Sequence, residues 1–231
     1  MIGLIAAAAV FLAIHLLVSG TRLRDAITGA IGQGPYMGLF SLASVAALTW
    51  LGFAYAGARR GPDPSYWAAT PATEWVQLGV TLLAFLLAVP GRATPNPTSV
   101  RQEGQLEKPD AVRGILRITR HPFLTGVAIW AAGHLLVNGD VASLVLFGSL
   151  LVLAVFGTMS IDAKRRRALG PKWDAFAAQT SALPFAAIAT GRQQLKLAEI
   201  GWWRLALAVA IWAALIWAHP YAFGVSPLPG H

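Results

Sequence analysis

A bundle of about six membrane-spanning helices, all-α in class, is what this sequence predicts, and three observations predict it. Six apolar segments, at about 2–18, 36–58, 74–90, 122–137, 141–159 and 201–219, meet or approach the roughly 20 residues a helix needs to cross hydrocarbon. Only 12% of the 231 residues are charged and 56% are hydrophobic, whereas a soluble domain carries about a quarter charged residues. Sixteen of the eighteen Lys and Arg fall in alternate connections, the distribution expected of cytoplasmic loops.

Each element has its own signal. The first segment lacks a basic leader, and its charges, Arg22 and Arg24, follow the apolar run. It therefore reads as a retained helix with a translocated N-terminus, not a secretory signal. Gly32-Gln33-Gly34-Pro35 separates it from the second segment, and Gly61-Pro62-Asp63-Pro64 separates the second from the third. Pro95-Asn96-Pro97 opens a polar stretch to Arg120 that is too long for a plain connector and reads as an ordered cap over the cytoplasmic mouth. Val137-Asn138-Gly139-Asp140 holds a strong turn pair and predicts a tight hairpin of the fourth and fifth helices. Leu169-Gly170-Pro171 ends a basic extension of the fifth helix and restarts the chain. Trp173 and Phe176 then share one face of a short helix, expected to rest in the headgroup layer.

The charge pattern places both termini outside and makes one membrane domain of residues 1–231. It also accounts for the net charge of +8, so nucleic acid is not an expected partner. The run Lys164 to Arg167 reads as an inside anchor attracted to anionic lipid. With no cysteine, a disulfide framework, a thiolate cluster and a covalently attached c-type haem are excluded.

Chemistry must then rest largely on five histidines: 15, 121, 134, 219 and 231. Ionisable groups inside a membrane are expensive and mark sites. His15 and His134 lie within apolar runs, where burial without a partner is costly. His121 follows Arg120, precedes Pro122 at the first helical position, and has Arg113 and Arg117 nearby, which suits an anion. His121 and His134 are 13 residues apart on one helix, hence about 20 Å apart and on different sides. They cannot share one metal. Depth pairs His15 with His121 near the inner face and His134 with His219 near the outer. Gly126 and Gly133 share a face of the same helix and permit a close neighbour.

His15, Asn96-Pro97-Thr98, Gly114 to Pro122, Ala132-Gly133-His134-Leu135, Asn138-Gly139-Asp140, His219 and the ending Phe223-Gly224-Val225-Ser226-Pro227 together resemble the NnrU family of bacterial membrane proteins. That resemblance implies a multi-pass protein of the bacterial inner membrane, linked to nitrite and nitric oxide reduction in denitrification. The family is also similar to 15-cis-zeta-carotene isomerase, which implies haem b with His15 and His134 as iron ligands and an isomerase or redox role. Depth sets these two histidines roughly 15 Å apart along the membrane normal, against that pairing. Partners would be the lipid bilayer and a hydrophobic small molecule or respiratory nitrogen-oxide enzymes.

Two other readings stand beside it. Arg120-His121-Pro122 with Gly126, and the tail through Leu169-Gly170, Trp173, Phe176 and Leu183-Pro184-Phe185, are similar to the isoprenylcysteine carboxyl methyltransferase group. That would imply S-adenosylmethionine at the Arg120-His121 mouth, although Asp162-Ala163 stands where that group has two glutamates. The third reading is a non-enzymatic accessory of a nitric oxide reductase.

Overall fold

The computed structural model describes residues 1–230; His231 lies outside the described residues. The chain is helical throughout, and its only β pairing among the described residues is the isolated bridge Ser65–Asp140. Helix α1 (Ile2–Leu12) runs into a π-helical turn at Ala13–Val18, then bends by 77° into α2 (Arg22–Ile31). Helices α3 (Gln33–Ala58), α4 (Pro71–Ala93), α5 (Pro122–Val137), α6 (Val141–Leu169), α7 (Pro171–Gln179), α8 (Ala186–Ala189) and α9 (Trp202–Phe223) follow.

Each of the six apolar segments is a helix, within a few residues of the expected ends. Four of them, α3, α4, α6 and α9, are long and apolar enough to cross a membrane, and the bent α1–α2 pair is a fifth candidate. Helix α5 has 16 residues, or about 24 Å, short of a hydrocarbon core of about 30 Å. Exposed Leu39, Leu42 and Phe53 on α3, Val155 and Phe156 on α6, and Trp217 on α9 suit a lipid surround.

Helix starts follow local chemistry. Asp140 accepts the Ser143 amide at 2.8 Å to open α6, and Thr70 and Thr73 form a reciprocal capping box over Pro71. Gly170, at φ +52°, separates α6 from α7 in a backbone region that a side chain would strain. Thr21 caps α2 through the Leu23 amide at 3.2 Å. This amphipathic helix was not expected, because its residues have too little apolar length to announce a span.

Packing runs α3–α1–α6–α5–α4–α9. One core joins Leu4, Ala7 and Phe11 of α1 to Ala47 and Leu51 of α3 and Ala142 of α6. A second joins Leu87 of α4 to Ile115, Leu116 and Ile118 of the long connection and to Ile200. That connection is ordered, with 3-10 turns at Glu103–Glu107 and Gly114–Arg117. Trp173 and Phe176 share a face of α7 as expected, but the headgroup placement is corrected: both are buried in protein, with ring centroids 5.3 Å apart.

Candidate functional site

Three features lie on α5 and the helices around it. The first closes its N-terminal, basic end. Pro122 begins α5, so His121 becomes the residue before the helix, with its side chain fully buried. Its Nε2 donates to Asp162 Oδ1 at 2.7 Å, while Nδ1 is buried without a partner. Arg120 Nε reaches both Asp162 oxygens, at 3.1 and 3.0 Å, and Arg120 Nη2 also pairs with that carboxylate. One acid from α6 thus holds two adjacent cationic or potentially cationic residues. Asn96 Nδ2 and Thr98 Oγ1 donate to the Arg120 carbonyl at 3.2 and 3.3 Å, and the Arg120 amide donates to Ser181 at 2.9 Å. The methyl-transfer reading places a ligand at Arg120 and His121; here Asp162 holds the Arg120 guanidinium and His121 Nε2.

Arg117 and Glu199 make a second tie nearby. Arg117 Nε and the Gly114 amide both donate to Glu199 Oε2, at 2.8 and 2.9 Å. The Arg117 guanidinium first, and the Gly114 amide second, hold the Glu199 carboxyl down to about 2. Gly114 has φ +56°, and a Cβ there would stand 2.9 Å from the Glu199 carbonyl oxygen, so both conformation and space require glycine.

The second feature is His134, in the last turn of α5. Its Nδ1 donates to the Trp130 carbonyl at 2.8 Å, and its ring lies 4.2 Å from that of Trp130 and 4.6 Å from that of Phe147, centroid to centroid. With its amide placed to satisfy both ends, Gln77 donates to the Gly133 carbonyl at 2.7 Å and accepts from His134 Nδ1 at 3.2 Å. Nδ1 therefore carries the proton, and the Nε2 lone pair is left over. His15 is built alike: its Nδ1 donates to the Phe11 carbonyl at 2.8 Å, and its ring packs against Phe11 and Phe40.

His15 and His134 are not brought together. Gly20 meets Ser160 on α6, whereas the His134 ring meets Phe147. With His15 five residues before Gly20, the two stand roughly 12 Å apart along α6, and on different neighbours. Each ring packs on its own aromatics, and neither touches the other. Nor does any group of three or more His, Asp or Glu among the described residues suit a metal ion. His219, on α9, accounts for its own Nδ1 by bonding the Val225 carbonyl at 2.8 Å.

The third feature is a groove of about 570 Å³ between α4, α5 and α9. Ala84, Phe85, Ala88 and Val89 of α4 face Phe123, Gly126, Val127 and Trp130 of α5, and Leu207 and Ile211 of α9 form the third wall. Arg92 is its one charged lining residue. The two glycines flagged on α5 face α4: a Cβ on Gly126 would lie 2.6 Å from the Ala84 carbonyl oxygen, and one on Gly133 would lie 2.8 Å from Val80 Cγ1. Sequence reasoning missed the groove, Gln77 and Glu199. A lone glutamine in the apolar run of α4 was a usable signal; Glu199, 82 residues from Arg117, had none.

The NnrU protein family matches residues 3–227 of the chain. Among curated proteins the chain is similar to the chloroplastic 15-cis-zeta-carotene isomerase of Zea mays, 37% identical over 82 residues, which is 36% of this chain and 22% of that protein. It is also similar to the same-named chloroplastic protein of Arabidopsis thaliana, 35% identical over 82 residues, with the same shares of 36% and 22%. The matched stretch thus spans about a fifth of those relatives' length. No solved structure matches the chain.

Proposed function

The chain belongs to the NnrU family, and we propose that it takes an elongated apolar molecule from the bilayer into the α4–α5–α9 groove and acts on it there in an isomerase-type step. The groove itself carries this reading. Its volume of about 570 Å³ falls in the range of about 300–1,000 Å³ for small-molecule sites, which are mostly apolar with few polar groups. Transfer from lipid into such a groove brings no hydrophobic gain, so binding rests on shape and contact. The small Ala84, Ala88 and Gly126 provide that shape. At the end away from Arg92, Trp130 connects the groove to His134, the nearby group with a free lone pair.

The isomerase class comes from the relatives' names and extends to this chain as a reaction type, with no substrate carried over. Isomerisation about a double bond adds and removes no atoms, which suits a site with so few polar groups.

Haem b is the cofactor the resemblance implies. His15 and His134 each present a protonated Nδ1 anchored on a carbonyl and an open Nε2, the arrangement of an iron-binding imidazole. Each is thus a group that would hold a haem iron, and such a centre would supply the redox or isomerase chemistry that the resemblance implies. A setting in the bacterial inner membrane, alongside nitrogen-oxide respiration, belongs to the same proposal.

The test is photolabelling of the full chain in nanodiscs with an apolar diazirine chain, mapped by mass spectrometry. Labelling should concentrate on α4, α5 and α9 around Gly126 and Trp130 and fall several-fold in Val127→Trp, which fills the groove. Labelling spread evenly over the lipid-facing helices, and unchanged by Val127→Trp, would overturn the reading.

A further inference from the structure

We infer that the molecule admitted to this groove is a single apolar chain with one anionic end, a carboxylate or phosphate, seated at Arg92. The inference rests on the reading of the groove as a ligand site and names the class of its ligand. Arg92 lies in the last turn of α4 and lines the groove, while its side chain is exposed. It forms no ion pair or hydrogen bond with a described residue. Five other arginines at this end are committed to acids: Arg113 to Asp110, Arg117 to Glu199, Arg120 to Asp162, Arg165 to Glu103 and Arg166 to Asp174.

Arg204 of α9 adds a second guanidinium beside the same mouth. Its Nε donates to the carbonyl of Ala93, a groove residue, at 3.4 Å, and its Nη1 to the Ile200 carbonyl at 2.8 Å. It also stacks 4.6 Å over Trp203 and has no carboxylate partner. An apolar groove that ends at two guanidiniums without acids is complementary to an anionic terminus, because guanidinium recognises carboxylate and phosphate in a planar, two-bond geometry.

Length selects the chain. From Ala84 to Ala93 the groove runs along ten residues of α4, a rise of roughly 14 Å, about half of a hydrocarbon core. A fatty-acid-like chain with its head at Arg92 would lay the first part of its tail along this length. Because Arg92 itself lines the groove, head and tail follow one path, which favours one chain over the branched backbone of a bilayer phospholipid.

Trp130 provides the probe. The full chain in uncharged detergent is titrated with a chain-brominated fatty acid and, separately, with its methyl ester, and tryptophan quenching is followed. Trp130→Phe identifies the part of the quenching that arises in the groove. The acid should quench Trp130 saturably and bind about tenfold more tightly than the ester. In Arg92→Gln that advantage should disappear while ester binding is unchanged. Equal binding of acid and ester by the unaltered chain would overturn the anionic end and leave the groove reading intact. Quenching of Trp130 by neither would overturn the groove reading itself. Equally tight quenching by a brominated phosphatidylglycerol would overturn the single-chain assignment in favour of bilayer lipid.

Discussion

Replacing Asp162 with alanine tests the claim that one carboxylate holds the long connection to α6. Asp162 receives both Arg120 and His121. Its side chain is 15% exposed, that of Arg120 14% and that of His121 0%. Removing the acid leaves a guanidinium with little water and an imidazole with no partner at either nitrogen. Breaking a buried pair on one side typically costs about 3–5 kcal/mol. The lower end applies, because Arg120 and Asp162 each retain some contact with water. About 3 kcal/mol corresponds to a fall in Tm of roughly 6–12 °C for a chain of this size. Thermal unfolding in detergent, followed by tryptophan emission, measures it. The companion variant Arg120→Met/Asp162→Leu removes both charges and replaces them with apolar bulk. It should recover much of the loss, since apolar replacements of buried pairs are often neutral. A loss below about 0.5 kcal/mol for Asp162→Ala would refute the reasoning, and so would a double variant whose loss is the sum of the two single losses.

Other expectations are narrower. The Glu199 carboxyl is held below its ordinary 4.5, at about 2, so its pairing stabilises fully above about pH 4.5 and is lost as pH falls toward 2. Exchange of the Gly114 amide should therefore hold steady from pH 5 upward, after correction for intrinsic rates, and rise in acid; in Glu199→Gln it should already be faster at neutral pH. Gly126→Ala places a methyl 2.6 Å from the Ala84 carbonyl oxygen and 2.7 Å from Ala88 Cβ, which should cost about 1–3 kcal/mol in the same melts. For haem, an absorbance spectrum of the purified chain decides. His15 and His134, each with Nδ1 anchored and Nε2 open, are the expected ligands, so a Soret band should weaken in His15→Ala and in His134→Ala, and a band unchanged in both would contradict it.

How far the sequence alone reached depended on the range of the forces involved. Apolar length placed every spanning helix, because the cost of unsatisfied backbone in hydrocarbon acts on each segment by itself. The Asn138-Gly139 turn and the Gly170-Pro171 break were legible for the same reason. Trp173 and Phe176 were read correctly as one face but assigned to lipid, since periodicity does not tell a protein partner from a membrane. The meeting of His121 with Asp162, 41 residues on, is tertiary and had no local signal. The groove was least legible, being a gap that three helices leave and no residue announces.

The short helix α5 gives the groove one fixed wall. At about 24 Å it cannot reach both bilayer faces, so the protein must satisfy at least one of its ends. At the start, Pro122 packs against Gly91, where a Cβ would come within 2.7 Å of the proline ring. At the far end, Trp67 Nε1 donates to the Leu135 carbonyl at 3.1 Å, and Asn138 Nδ2 donates to the His134 carbonyl at 2.8 Å. The Tyr66 amide donates to Gly139 at 2.9 Å. Helix α9 is the opposite case. It packs on α4, Ala208 is its one buried residue, and two side-chain hydrogen bonds tie it to α4: Trp212 Nε1 to Thr81 Oγ1 at 3.1 Å and Arg204 Nε to the Ala93 carbonyl at 3.4 Å. With one wall pinned and the other loosely held, ligand entry should proceed by displacement of α9. Trp212→Phe removes the first of these hydrogen bonds and keeps an aromatic ring in place. Stopped-flow quenching should then show entry and exit both faster by a similar factor, with the ratio that sets affinity nearly unchanged. Unaltered rates in Trp212→Phe would mean that α9 is not the moving wall.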